Sequence, residues 1–127
     1  MDCVFCRRVT AGDFTAANDL AVAFPDATAL TPGHTLVISR RHEADFFALA
    51  RDERIAIWLL ADELQTRLAG ELRPDGWNVG VNVGDAGGQT VAHAHLHLIP
   101  RYAGDVDDPR GGIRWIIPDK ARYWQHR

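Results

Sequence analysis

An α+β fold with a mainly antiparallel sheet is what this sequence predicts, and three observations carry that expectation. A single long stretch of helical periodicity, Asp52 to Leu72, is flanked on both sides by short extended runs. The segment His93-Ala94-His95-Leu96-His97-Leu98-Ile99-Pro100 alternates with the period of a strand. The chain has 127 residues, enough to bury one core without disulfide staples, so a single domain over 1–127 is expected.

Charge and hydropathy then narrow the partners. Fourteen Lys and Arg against 17 Asp and Glu give a net charge of -3, which offers no global attraction to a polyanionic duplex, so nucleic acid is not an expected partner. The longest unbroken apolar run, Ile55 to Ala61, is far short of the roughly 20 residues that span a bilayer, and Met1-Asp2-Cys3 opens no signal peptide. A soluble, cytoplasmic protein with no membrane partner is expected.

Each element follows from local pattern. Leu20 to Phe24 is a short apolar run ending at Pro25, and His34 to Ser39 is a β-branched run behind the turn signal Thr31-Pro32-Gly33; both are predicted strands. Asp45 to Ala50 has helical spacing and predicts a short helix. Asp52 to Leu72 predicts the principal one, with Ile57, Leu60, Leu64 and Leu68 as its buried stripe and Gly70, Arg73 and Pro74 closing it. Trp77 to Val83 alternates as a half-buried strand, with Val79, Val81 and Val83 on one face. The order in which these strands pair stays open.

The histidine segment carries the chemistry. On a strand, residues two apart lie roughly 6.6 to 6.8 Å from each other on one face, so three imidazoles form a ladder able to surround a phosphate or ligate a metal, while Ala94, Leu96 and Leu98 face the core. Imidazole titrates near neutrality and can serve as nucleophile, proton donor or anion ligand. The preceding loop, Gly84-Asp85-Ala86-Gly87-Gly88-Gln89-Thr90, lets backbone N–H groups approach an anion, and Gln89 and Thr90 add side-chain hydrogen bonds. It lacks the Gly-Lys-Ser/Thr ending of a nucleoside-triphosphatase phosphate loop. His34 opens its strand directly after a turn, where it could reach a neighbouring strand edge or merely cap. Asn82, at a strand end, could face the same pocket.

Taken together, Cys3-Val4-Phe5-Cys6, Gly33-His34-Thr35-Leu36-Val37-Ile38 and Gly87-Gly88-Gln89-Thr90-Val91-Ala92-His93-Ala94-His95-Leu96-His97 resemble the histidine triad (HIT) family, in the branches that hydrolyse dinucleoside polyphosphates or nucleoside phosphoramidates. Asp108 to Arg114 looks like the tail of bacterial members. The resemblance implies an α+β homodimer acting on a small nucleotide. It implies that His95 attacks the α-phosphorus and carries the nucleotidyl group, that His97 ligates phosphate oxygens, and that His34 stabilises transition-state charge. Thr90 is implied near the leaving group, Asp26 on the ribose hydroxyls, and Asn82, Gly88 and Gln89 at the nucleotide and phosphate. Asn at 82 points to the phosphoramidase branch. Transferase relatives carry Gln at the third triad position, so His97 favours hydrolysis over transfer.

Cys3 and Cys6 stand as C-x-x-C, a spacing that suits two thiolates on one zinc or a redox pair, although no strand precedes Cys3 as a thioredoxin-like motif requires. The resemblance completes the zinc set with His42 and His93, implying a structural zinc that pins an N-terminal knuckle, about residues 1–10, to the triad strand. Two other readings stand beside hydrolysis. One is a zinc-containing nucleotide-binding or regulatory module with little turnover. The other is a catalytic metal centre formed by His93, His95 and His97. The tail, about 104–127, is rich in aromatics and arginines that pack plainly, line a dimer seam or touch a leaving-group pocket.

Overall fold

A computed structural model describes residues 2–126; Met1 of the expected knuckle and Arg127 of the expected tail lie outside the described residues. Five strands, β1 (Ala16–Ala17), β2 (Ala21–Pro25), β3 (Thr35–Ser39), β4 (Gly76–Val81) and β5 (His95–Arg101), form one sheet in the order β1-β2-β3-β5-β4. Every pairing is antiparallel, so the expected α+β class with an antiparallel sheet is what the chain adopts. The long helix α2 (Arg51–Leu72) lies between β3 and β4 in sequence. The helix α1 (Val4–Ala11) precedes the sheet, and the four-residue α3 (Pro118–Ala121) follows it.

The pleat distributes the side chains. Ala21, Ala23, Val37, Leu96 and Leu98 point to one face, where they pack with Ala94 and with Ile57, Leu60, Ala61 and Leu64 of α2. Val22, Phe24, Leu36 and Ile38 point to the other, where Cys3 and Phe5 cover them. β2 and β3 are therefore buried on both faces, which is why they read in sequence as unbroken apolar runs. His95 and His97 stand on the α1 side, opposite the Leu96–Leu98 contacts with α2.

Several boundaries differ from expectation, each for a local reason. Asp45 to Ala50 is not an α-helix but a 3-10 turn over Phe46–Ala48, begun by the Asp45 carboxylate accepting from Phe47 N–H at 2.9 Å. The short α-helix is instead α1, which ends on Gly12 in a left-handed conformation (φ 68°). Gly70 does not close α2 but lies within it; the helix ends at Arg73, left-handed at φ 49°, ahead of Pro74. Gly33, at φ 89°, closes the turn before β3 so tightly that a Cβ there would stand 2.7 Å from Leu72. The triad strand begins at His95, not His93. His93 N–H bonds Val91 C=O and Ala94 N–H bonds Glu43 C=O, an irregular approach that takes His93 off the ladder.

The tail after Gly104 folds on itself. Arg110 lies over Trp124 at 4.6 Å, Arg114 over Tyr123 at 4.8 Å and Arg122 over Trp115 at 5.2 Å. No helix among the described residues is long and apolar enough to cross a membrane.

Candidate active site and metal centre

A cavity of about 430 Å³ opens on the α1 face of the sheet, lined by Asp26, Asn82, Gly88, Thr90, His95 and His97 among the predicted residues. α1 supplies Val4, Phe5 and Arg8, and β2 and β3 supply Phe24 and Leu36. Register explains the convergence: Leu36 of β3 stands between Phe24 of β2 and His97 of β5, a row crossing three strands. Gly88, at φ 89°, turns its backbone into the cavity wall. Gln89 does not line the cavity. Its side-chain carbonyl accepts from Gly84 N–H at 2.9 Å, and its amide donates to Ala44 C=O at 2.8 Å and Val91 C=O at 3.0 Å, so it braces the loop that carries Gly88 and Thr90.

Hydrogen bonds set the tautomer of each histidine, because a carbonyl only accepts and an amide N–H only donates. His95 Nδ1 lies 2.8 Å from His93 C=O and therefore carries the proton, leaving a bare lone pair on Nε2. The ring is 6 % exposed and wedged by Phe5 at a centroid distance of 5.2 Å. His34 Nδ1 accepts from Leu30 N–H at 3.0 Å, so the His34 proton sits on Nε2, facing His97 Nδ1 at 3.0 Å and Asp26 at 3.4 Å. His97 accepts at Nδ1 and keeps its own proton on Nε2. Burial, and then the neighbouring His95 and His34, push the His97 pKa down to about 4, so both hydrogen-bonded rings are neutral near pH 7. Burial likewise pushes His34 down, partly offset by Asp26. Burial works against ionisation of Asp26, but hydrogen bonds from Thr28 and the nearby His34 hold its carboxyl below its ordinary value.

His93 is wholly buried and belongs to a different cluster. Its Nε2 donates to Ser39 C=O at 2.7 Å, so Nδ1 is bare and lies 3.5 Å from both Cys3 Sγ and Cys6 Sγ. His42 Nδ1 lies 3.2 Å from Cys6 Sγ, and all four ligand atoms fall within 4.8 Å of one another. For a tetrahedral zinc with ordinary bond lengths, sulfur and nitrogen ligands stand about 3.6 Å apart, so the donor set, its spacing and the His93 tautomer fit zinc. Burial and the adjoining Cys3 push the Cys6 thiol pKa up, the situation a bound cation reverses. Arg41 grips Glu53 on α2 with two nitrogens at 2.9 to 3.2 Å, which fixes the corner carrying His42.

Asp26, His34 and His97 also fall within metal-ligating distance of one another, yet they do not fit a metal. A metal on His34 Nε2 would require its proton to move to Nδ1, against the N–H of Leu30. With His93 turned toward the sulfurs, the three triad histidines do not converge on one metal, which removes the alternative of a three-histidine metal centre. Arg8 is a lining residue that the sequence does not reveal; it reaches the cavity beside Phe5 because the two lie three residues apart on α1, a helix that the local pattern does not predict. A second, smaller cavity of about 290 Å³ lies by β4 and the tail, where Arg101 is paired with Asp105 and Asn78.

Known proteins resemble this chain in sequence and fold. The HIT domain family model matches residues 7–104. An uncharacterized HIT-like protein of Mycoplasma genitalium is 40 % identical over 104 residues, covering 79 % of this chain and 73 % of its own. The adenosine 5'-monophosphoramidase of Schizosaccharomyces pombe is 36 % identical over 105 residues, 80 % of this chain and 75 % of that one. A bifunctional bis(5'-adenosyl)-triphosphatase/adenylylsulfatase of Arabidopsis thaliana is 33 % identical over 91 residues, 72 % of this chain but 51 % of the relative. Among solved structures, a HIT family protein from Bacillus anthracis superposes with a TM-score of 0.77 at 28 % identity, covering 99 % of this chain and 97 % of the other. A Zn-bound histidine triad family protein from Mycobacterium smegmatis gives 0.72 at 30 % identity, covering 100 % and 99 %.

Proposed function

The chain belongs to the HIT domain family, and from that premise we propose that it hydrolyses an adenosine-containing dinucleoside polyphosphate or nucleoside phosphoramidate at the α-phosphorus. The observation that carries this reading is the His93 carbonyl on His95 Nδ1, which leaves the Nε2 lone pair as the nucleophile. His95 Nε2 forms a bond to phosphorus as the P–O or P–N bond to the leaving group breaks. Water then cleaves the N–P bond and releases the nucleoside monophosphate.

His97, neutral and protonated on Nε2, donates to the phosphate oxygens, and His34 holds it in that tautomer. Thr90 stands by the leaving group, backbone N–H groups around Gly88 cradle oxygens, and Asp26 accepts from the ribose hydroxyls, with Asn82 on the same wall. Gln89 serves from outside the cavity, by bracing the loop. The relatives from S. pombe and A. thaliana support both candidate substrate classes.

Cys3, Cys6, His42 and His93 would hold zinc, which ties α1 to the segment entering the triad strand. That role is structural, and a reducing cytoplasm keeps both cysteines available as ligands. The homodimer belongs to the same proposal, supported by Ile55, Trp58 and Leu59, apolar side chains that α2 leaves exposed. A substrate panel with product analysis tests the reading: release of AMP from adenosine 5'-phosphoramidate or diadenosine polyphosphates supports it, and inertness toward every such compound overturns it.

A further inference from the structure

The geometry points to Arg8 as the platform on which the nucleobase stacks, an inference that rests on the nucleotide reading above and gives the cavity a specificity-determining residue. Arg8 projects from α1 and lines the same cavity as His95 and His97. Its guanidinium carbon lies 4.2 Å above the centroid of the Phe24 ring, and its Nη1 is 3.4 Å from Asp13, so the cation is held from two sides. The side chain is 29 % exposed, and Phe24 beneath it is 2 % exposed. The surface presented at this end of the cavity is therefore the Arg8 guanidinium, held over the Phe24 ring.

Position identifies which part of a ligand that group meets. Phe24, Leu36 and His97 are cross-strand neighbours on β2, β3 and β5, so Phe24 lies two strand spacings from His97, roughly 9.5 Å. The phosphate end is fixed by His95, His97, Gly88 and Thr90, and Asp26, just past the end of β2 and two residues from Phe24, has its carboxylate within 4.8 Å of the His97 ring nitrogen. What lies beyond the sugar, over Phe24, is the base. A guanidinium plane stacks well on a flat π-system and attracts it electrostatically, most strongly when water is excluded from one side, as Phe24 excludes it here. A larger ring offers more overlap, so purines are favoured over pyrimidines.

Calorimetry reads this without requiring turnover. Adenosine 5'-monophosphate and 1-O-methylribose 5-phosphate, the same ligand without its base, are titrated into the wild type, Arg8→Ala and Arg8→Lys. The expected result is that Arg8→Ala weakens AMP roughly tenfold and leaves the base-free phosphate within twofold. Arg8→Lys keeps the charge without the plane and recovers less than half of that loss in free energy. Uridine 5'-monophosphate is weakened less than AMP. Equal weakening of both ligands would place Arg8 on the phosphate and overturn the inference, as would full rescue by lysine. Tighter AMP binding by Arg8→Ala would mean that Arg8 merely covers Phe24. Binding that follows the expected pattern, with no hydrolysis of any substrate, would overturn the hydrolase reading while sustaining the Arg8 platform. Failure of the wild type to bind AMP would sink both.

Discussion

The cluster around His93 and the cluster around His34 each gather metal-ligating side chains within 4.8 Å of one another, two thiols and two imidazoles in the first and a carboxylate and two imidazoles in the second, yet their hydrogen bonds prepare them for opposite tasks. In the first, Ser39 C=O accepts from His93 Nε2–H and leaves Nδ1 bare toward two sulfurs. In the second, Leu30 N–H occupies Nδ1 and obliges His34 to keep its proton on Nε2, pointed at His97. One backbone group decides each case: an acceptor frees a ligand, and a donor creates a proton chain. His95 sits between the two, its tautomer set by the carbonyl of the metal-side histidine itself. Ligand-type residues at ligand-type distances are therefore insufficient grounds for a metal site; the partner on the far ring nitrogen has to be compatible.

The sharpest way to break the comparison is at its junction. His95→Ala should lower kcat by roughly 10⁴-fold or more while AMP binding persists, because only the nucleophile is lost. A modest reduction would transfer the chemistry to another group.

On the metal side, protein purified without chelator should contain about one zinc per chain and Cys6→Ser none, with a loss of several kcal/mol and a Tm lower by roughly 10 °C or more. One zinc that survives both Cys6→Ser and Cys3→Ser but is lost with Asp26→Asn would put the metal at Asp26, His34 and His97, and the distinction drawn above would fail.

Within the proton chain, His97→Ala should cost roughly 10² to 10³ in kcat, the scale of a preorganised donor, with zinc content unchanged. Loss of zinc from that variant would mean that the two clusters are one.

The smallest effect is on pH-dependent stability. His97 titrates at about 4 in the fold, below the ordinary imidazole value near 6.5, so the unfolded chain binds that proton more tightly. Its contribution is fully present above pH 6.5 and is lost as pH falls from there toward 4. Urea unfolding across that window should show a shallower decline for His97→Asn than for the wild type; identical slopes would contradict the burial of a neutral ring.

Much of this was legible in the chain. The α2 stripe of Ile57, Leu60 and Leu64 is buried as its spacing requires, and Leu96 and Leu98 face it while His95 and His97 face away. The four zinc-ligand candidates, drawn from three separate segments, do converge. α1 was hidden because eight residues with Val4, Val9 and Thr10 among them have little helical preference of their own; burial of Phe5 against Phe24 and the Gly12 cap hold the helix. With α1 unseen, Arg8 could not be placed over Phe24. The departure of His93 from the strand depends on Glu43 and its tautomer on Ser39, backbone groups far away in sequence, while the tautomers of His34 and His95 depend on Leu30 and His93, near in sequence but placed by a turn and an irregular strand entry that residue types do not encode.

The central claim is that a nucleotidyl group becomes bonded to His95 Nε2 during turnover. Stopping a reaction with adenosine 5'-phosphoramidate in alkaline denaturant, weighing the intact chain and mapping the adduct by peptide mass should place one adenylyl group on His95, absent from His95→Ala. A chain that turns over freely and never carries that mass, or carries it on another residue, would contradict the account.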